Sequence, residues 1–195
     1  LILLKVVGFN GSPRREGNTF QSIRIVFEEL EQEGIGTEMI QLGGEKIFGC
    51  LACGRCFDNH DRRCVRRDDE VNAYIGKMDE ADGVIIGSPT YFSNVSTEVK
   101  ALIDRCGFVN RANGGDILRG KAGAAVVAVR RAGSNFTYAA INFFFGIAEM
   151  TVPGSSYWNM TLALEPGDLR KDEEGMLTFQ TLGRNMAHLL KKLKG

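Results

Sequence analysis

The chain has 195 residues, 44% apolar and 25% charged, with 24 Lys and Arg set against 24 Asp and Glu. That length suits one domain spanning 1–195, large enough to bury a full core without disulfide staples. A formal net charge of zero removes any general attraction to polyanions, so neither nucleic acid nor an anionic membrane is an expected partner. No apolar run approaches the ~20 residues that span a bilayer.

The start, Leu1 to Phe9, is apolar but short, with no basic leader and no small-residue cleavage site. It reads as a buried strand over 2–9 and not as a signal peptide. The sequence opens without Met, so a trimmed chain is expected, and with no export signal the expected location is the cytoplasm. In that reducing compartment five Cys point to metal, redox chemistry or packing before disulfides.

From about Asn18 to Glu33 the spacing of Phe20, Ile23, Phe27 and Leu30 predicts a helix, stopped by Gly34 and Gly36. Thr37 to Leu42 reads as a second strand. Residues 43–67 form a loop with four of the five Cys. A helix is expected from Asp68 to Glu80, with Val71, Tyr74, Ile75 and Met78 on one face, then a buried strand at Gly83 to Gly87. Val99, Leu102, Ile103 and Cys106 mark the next helix, Ala122 to Val129 another buried strand, and 135–149 a helix. Thr151 to Tyr157 is the expected last strand. Leu164 to Gly175 is a polar surface loop, and 172–193 a closing helix with Leu182, Met186, Leu189 and Leu193 inward. Such alternation predicts an α/β fold with a doubly wound, five-stranded parallel sheet of order 2-1-3-4-5. Its ligand crevice lies beyond strands one and three, where the strand order reverses.

The first strand runs into Asn10-Gly-Ser-Pro-Arg-Arg-Glu-Gly-Asn-Thr19, directly before a helix. Main-chain N–H groups at a helix start point outward and bind anions. Ser12, Asn18 and Thr19 add side-chain donors, and Arg14 or Arg15 a charge able to pair with phosphate. The site suits a phosphate monoester; the plainer alternative is a capped turn with exposed arginines. Neither a P-loop nor a G-x-G-x-x-G fingerprint is present.

Beyond the third strand, Pro89 fixes the chain, Thr90, Ser93 and Asn94 offer hydrogen-bonding groups, and Tyr91 and Phe92 offer flat apolar surface. An isoalloxazine ring needs both. Leaving strand four, Arg130-Arg-Ala-Gly-Ser134 has little bulk at Ala132 and Gly133, which lets main chain approach a ring edge. Arg131 or its neighbour then lies near a reduced flavin or an incoming nucleotide, or is a solvated basic turn.

Gly11-Ser-Pro-Arg14 with Gly17-Asn-Thr19, then Ser88-Pro-Thr-Tyr-Phe92 with Val95-Ser96 and Lys100-Ala-Leu-Ile-Asp-Arg105, resembles the NAD(P)H-dependent FMN reductase family. Within it the chain looks most like the iron–sulfur flavoproteins and their multimeric-flavodoxin relatives. The likeness extends over nearly the whole chain and includes Gly154 to Asn159. It implies FMN on a flavodoxin-like fold, and a homodimer or homotetramer with flavin near a subunit interface. It also implies that Ser12, Arg14, Asn18 and Thr19, with Phe20 beside them, hold the phosphate. Pro89, Thr90, Tyr91, Phe92, Ser93 and Asn94 would hold the ring, with Arg131, Ala132 and Gly133 near it.

Cys50, Cys53, Cys56 and Cys64 read C-x2-C-x2-C-x7-C. A C-x2-C-x2-C run is a ferredoxin-type signal, so a [4Fe-4S] cluster is the first reading; zinc and free thiols stay open. Cys106, on an apolar helix face, reads as core. The expected function is an FMN-dependent oxidoreductase. It would pass electrons from NAD(P)H or a reduced carrier such as ferredoxin to a small-molecule or protein acceptor. The alternative is a non-enzymatic FMN and iron–sulfur electron carrier. A redox sensor is a third, less favoured reading, for no appended DNA-binding segment is seen. No general acid or base stands out, since His60 lies in the Cys loop and His188 on the last helix; the flavin carries the chemistry. Phe143, Phe144 and Phe145 in succession cannot all face one sheet, so one is expected to face a partner.

Overall fold

Strand β1 (Lys5–Asn10) and strand β3 (Gly83–Pro89) are apolar on both faces because both faces are covered. In the computed structural model, which describes residues 3–194, they lie at the centre of one parallel sheet. The other strands are β2 (Gly36–Gln41), β4 (Ala122–Val129) and β5 (Met160–Leu162), in the order β2-β1-β3-β4-β5. This is the expected doubly wound sheet. The expected start of the first strand at residue 2 lies outside the described residues.

Helices α1 (Asn18–Gln32) and α6 (Glu173–Lys194) cover one face. Ile23, Val26, Phe27 and Leu30 meet Phe179, Leu182 and Met186 there, over Val6, Ile85, Ala124 and Val126 of the sheet. Helices α3 (Val71–Glu80), α4 (Thr97–Ala112) and α5 (Ser134–Ile147) cover the other. There Ile75, Met78, Leu102, Cys106, Ile141 and Phe145 pack over Val7, Phe9, Val84, Ile86 and Ala125. The period-two alternation of β1 thus divides its side chains between two cores. Each fully buried large apolar side chain contributes about 1.5–3 kcal/mol. Burial pushes the Cys106 thiol up to about 12, in keeping with its place in the core. Among the described residues, no helix is long and apolar enough to cross a membrane.

Three expectations need correction. The Cys loop is not wholly irregular, for α2 (Arg55–Asn59) forms within it. Leu193 is not inward but 44% exposed, in the last turn of α6. The last strand is not Thr151 to Tyr157. Only Thr151 of that run pairs with the sheet, at Ala122, and regular pairing begins at Met160 opposite Val127. The nine steps from Thr151 to Met160 span five steps of β4, so the edge strand bulges outward. Ser155 Oγ donates to the Thr178 carbonyl at 2.6 Å and Asn185 Nδ2 to the Gly154 carbonyl at 2.8 Å, which fix the bulge to α6.

At the carboxyl ends of β1 and β2 the chain is tightly interleaved. Asn10 Nδ2 donates to Gln41 Oε1 at 2.7 Å, and Gln41 Nε2 donates to the carbonyls of Ser12 and Gly43. Gly43 lies so close to the first loop that an added Cβ would sit 2.3 Å from the Ser12 carbonyl carbon. Beyond β5, a 3-10 turn at Asp168–Lys171 brings the chain back over α1. Asn18 Nδ2 donates to the Glu165 carbonyl at 2.9 Å, and Asn18 Oδ1 accepts from the N–H groups of Gly167 and Leu169 at 3.0 and 3.3 Å.

Gly43→Ala is therefore expected to destabilise the protein by about 1–3 kcal/mol through overpacking against backbone, seen as a lower urea midpoint with unchanged slope. An unchanged midpoint would show that the two loops can part freely. Asn18→Ala is expected to cost about 1–3 kcal/mol by orphaning buried groups and to speed amide exchange at Gly167 and Leu169. Exchange as slow as in the wild type would mean that other contacts hold the 164–169 segment.

Candidate functional site

The loops after β1, β3 and β4 meet at the carboxyl edge of the sheet, where strand order reverses between β1 and β3. The Gly11 N–H donates to the Gly87 carbonyl at 2.8 Å, joining the first loop to the end of β3. Asn10 Oδ1 accepts from the Ser12 N–H at 3.1 Å, and Ser12 Oγ from the Arg14 N–H at 3.2 Å, so the first loop is folded before any ligand arrives.

Helix α1 begins at the floor of this loop. Gly17 precedes it without a side-chain cap, and its first internal bond is Gln21 N–H to the Gly17 carbonyl. The N–H groups of Asn18, Thr19 and Phe20 meet no acceptor among the described residues. Three unpaired amides at the positive end of a helix dipole fit a phosphate. An added Cβ at Gly17 would lie 2.8 Å from Arg14 Cβ, so this cradle depends on the missing side chain. Ser12 and Thr19 are buried beside it, and Phe20 is half-buried. Arg14 is exposed, with its guanidinium on the Leu164 carbonyl at 2.9 Å. Arg15 pairs with Glu45 at 2.6 Å. The side chain of Asn18 is already engaged by the 165–169 segment, so its contribution here is the backbone N–H.

The β3 loop is a tight turn. Tyr91 and Asn94 exchange backbone hydrogen bonds at 2.9 and 3.0 Å, and the two residues between them, Phe92 and Ser93, have φ of 48° and 61°. Successive positive φ angles are those of a type I′ turn, which favours Gly or Asn at both positions. Here a Phe and a Ser are held there, with the Phe92 ring fully exposed, a strained arrangement of the kind that gathers at ligand sites. Pro89 and Thr90 are half-buried below it, and Thr90 Oγ1 is buried without a hydrogen-bond partner. From the β4 loop, Gly133 (φ 90°) closes on the same turn: an added Cβ would lie 2.5 Å from Ser93 Oγ. Arg131 and Ala132 are exposed next to it. The structure therefore brings the three predicted segments to one crevice with an orphan hydroxyl, a bare aromatic ring and a phosphate cradle. These residues fit FMN.

Cys50, Cys53, Cys56 and Cys64 are all free thiols and all line one cavity of about 120 Å³, with Phe57, Phe108 and Arg105. Burial pushes the Cys56 thiol up, and the nearby charges of Cys64 and Cys50 push it the same way. Among the described residues, no three His, Cys, Asp or Glu side chains are gathered closely enough to hold a metal ion. A lone zinc, with sulfur ligands about 2.3 Å away on every side, needs that gathering. The wall of one shared cavity is a looser arrangement of four thiols.

The contacts that organise this cavity escaped the sequence reading, in which Arg105 appeared only as the end of a family motif and His60 only as a member of the Cys loop. Arg105 of α4 forms a fully buried ion pair with Asp69. Its guanidinium also donates to the Phe48 and Arg66 carbonyls, each at 3.2 Å. Asp69 in turn accepts from the Phe48 N–H at 2.9 Å. Asn72 of α3 exchanges bonds with the Cys64 backbone, at 2.7 and 3.0 Å. His60 Nδ1 lies 2.6 Å from the Ala112 carbonyl, a structural tie. The available signal was a charged residue among Leu102, Cys106 and Val109 on the apolar face of α4.

Comparison with known proteins agrees with this geometry. Residues 4–165 match the family described as NADPH-dependent FMN reductase. An iron-sulfur flavoprotein of Methanocaldococcus jannaschii is 37% identical over 198 residues, covering 98% of this chain and 100% of that one. RosB with bound 8-demethyl-8-formylriboflavin-5'-phosphate superposes with a TM-score of 0.71 at 19% identity, over 98% of this chain and 80% of RosB. A flavodoxin, WrbA-like protein from Agrobacterium tumefaciens does so at 0.66 and 15%, over 97% of this chain and 98% of that one. At such identities the structural likenesses establish a flavodoxin-like fold. With the family match over most of its length, the chain belongs to the NADPH-dependent FMN reductase family.

Proposed function

We propose that this chain is an FMN-dependent oxidoreductase that passes electrons from NAD(P)H, or from a reduced carrier such as ferredoxin, to a small acceptor by way of a [4Fe-4S] cluster in the Cys loop. The observation that carries the flavin reading is the set of unpaired amides at the start of α1, in one crevice with the strained Tyr91–Asn94 turn. When bound, FMN supplies the electron-transfer chemistry, accepting a hydride and releasing electrons singly or in pairs. The N–H groups of Asn18, Thr19 and Phe20, with Ser12 and Thr19 beside them, hold the phosphate. Arg14 swings from the Leu164 carbonyl to pair with it. Thr90 and Asn94 orient the polar edge of the ring, Tyr91 and Phe92 exclude water from its face, and Gly133 lets main chain approach it. Arg131 stands where it can favour an anionic reduced ring or a nucleotide phosphate.

Cys50, Cys53, Cys56 and Cys64 supply the thiolates for the cluster. The shared cavity supports this reading, as do the names of the iron-sulfur flavoprotein relatives. The second reading, a non-enzymatic carrier for a protein partner, is favoured by exposed apolar groups around that cavity: Leu51, Phe57, Val65 and Phe108. Chain association is proposed through α5. Phe144 and Phe145 are buried while Phe143 is 76% exposed, and Phe136 and Ile147 share its stripe at helical spacing. A homodimer or homotetramer would cover this face. A cytoplasmic setting accords with thiols that must stay reduced.

Arg14→Ala is expected to weaken FMN binding by about 1.5–3 kcal/mol, the worth of a hydrogen bond to a charged group, with the fold unchanged. Fluorescence titration of the apoprotein measures it, and an unaltered Kd would transfer the part to Arg15. Anaerobically purified protein is expected to yield FMN and not FAD on extraction, with about four iron and four sulfide per chain. It should oxidise NAD(P)H and run as an oligomer by light scattering. FMN without iron, even after reconstitution, would leave a plain flavin reductase; reduction by ferredoxin alone would favour the carrier.

A further inference from the structure

We infer that Arg105 sets the reduction potential of the group held by Cys50, Cys53, Cys56 and Cys64, as the buried positive charge and hydrogen-bond donor in the wall of their cavity. The inference rests on the cluster reading of the Cys loop. Arg105 is 1% exposed and forms part of the same cavity wall as all four cysteines. Its terminal nitrogens are used by Asp69 and by the Phe48 and Arg66 carbonyls. Its Nε is buried and has no partner.

A buried donor left unpaired costs about 1–3 kcal/mol, and a guanidinium Nε–H can be satisfied only by an acceptor. The cavity beside it is lined by four such acceptors once they are thiolates, and by backbone N–H groups that are donors themselves. One of these, on Ala52, already points to Cys50 Sγ at 3.4 Å. Of the loop's other arginines, Arg66 also lines the cavity, but it is half-buried whereas Arg105 is closed to water. Arg62 pairs with Asp79 and Arg66 with Asp68, both with solvent-exposed partners or guanidinium groups, where water and salt weaken their reach.

Reduction of the cluster adds one electron from the reductant, and hence one negative charge, with no bond made or broken. A buried cation and a hydrogen bond to sulfur both favour the more negative state, and so raise the potential. Asp69 opposes that effect, because its carboxylate partly cancels the Arg105 charge.

The test compares anaerobically reconstituted full chains carrying Arg105→Lys or Asp69→Asn with the wild type. Iron, sulfide and FMN are counted first, and each sample is then titrated with dithionite under EPR detection. In Arg105→Lys an ammonium still meets Asp69, but the Nε donor is gone. At a fixed potential the reduced-to-oxidised ratio of the cluster is expected to fall about tenfold, or 59 mV for one electron. In Asp69→Asn the guanidinium charge is uncompensated, and the ratio is expected to rise. Opposite shifts with iron retained support the inference. Shifts in one direction, no shift, or loss of iron from both variants overturn it and leave Arg105 a purely structural tie. A wild type without iron or sulfide after reconstitution removes the cluster reading itself, and this inference with it, before any variant is compared.

Discussion

The Arg105–Asp69 ion pair, closed to water on both side chains, is the contact on which the arrangement of the Cys loop depends. Taking two charges out of water is costly, and hydrogen bonds to their remaining groups offset part of that cost. Phe48 meets both, its N–H donating to Asp69 and its carbonyl accepting from Arg105. Losing either partner would leave a buried charge alone, at a cost of about 3–5 kcal/mol. The pair thereby fixes both ends of a segment with few apolar side chains of its own, holding residue 48 on one side of the cysteines and residue 69 on the other. The Phe48 ring is further covered by the Arg66 guanidinium, 3.9 Å from its centre.

The crevice on the neighbouring strands is held differently. Its loops are stapled by backbone, as in the Gly11–Gly87 bond, and by Asn10 and Gln41 at the ends of β1 and β2. Because those strands are packed on both faces, the loops inherit the rigidity of the sheet. Amide donors at the start of α1 are therefore in place before a ligand is. The Cys loop leaves β2 at that same carboxyl edge, beyond Leu42 and Gly43, and then runs along α3 and α4 until His60 meets Ala112 and Arg62 meets Asp79 at the far ends of those helices.

Alternation of apolar runs and helical stripes was enough to read the sheet order, because each run obeyed one period. The loops proposed to hold flavin stood out for the same reason: they fall where a doubly wound sheet must put its crevice. What was not legible depends on distant partners. Asn18 looked like a phosphate donor, and its side chain is claimed by residues near 167 that no local pattern reveals. Thr151 to Tyr157 has strand-like composition, yet hydrogen bonds to β4 begin in earnest only at Met160. Helix α2 spans five residues, too few to show a period. Arg105 broke the apolar pattern of α4, and its meaning appeared only when Asp69 was found opposite. Cys106, by contrast, kept to the pattern and is core.

The outward bulge before β5 also decides how this sheet can meet other chains. An edge strand with a free row of N–H and carbonyl groups is a template for another strand, and proteins blunt such edges with bulges, prolines and short pairing runs. All three occur here: a bulge four residues longer than the stretch of β4 it faces, Pro153 within it, and only three residues of regular pairing in β5. The exposed Tyr157 and Trp158 rings, 4.8 Å apart, stand out from the bulge as a side-chain obstacle. On that flank the sheet offers a neighbouring strand little free edge to pair with, a shape that disfavours strand-by-strand aggregation.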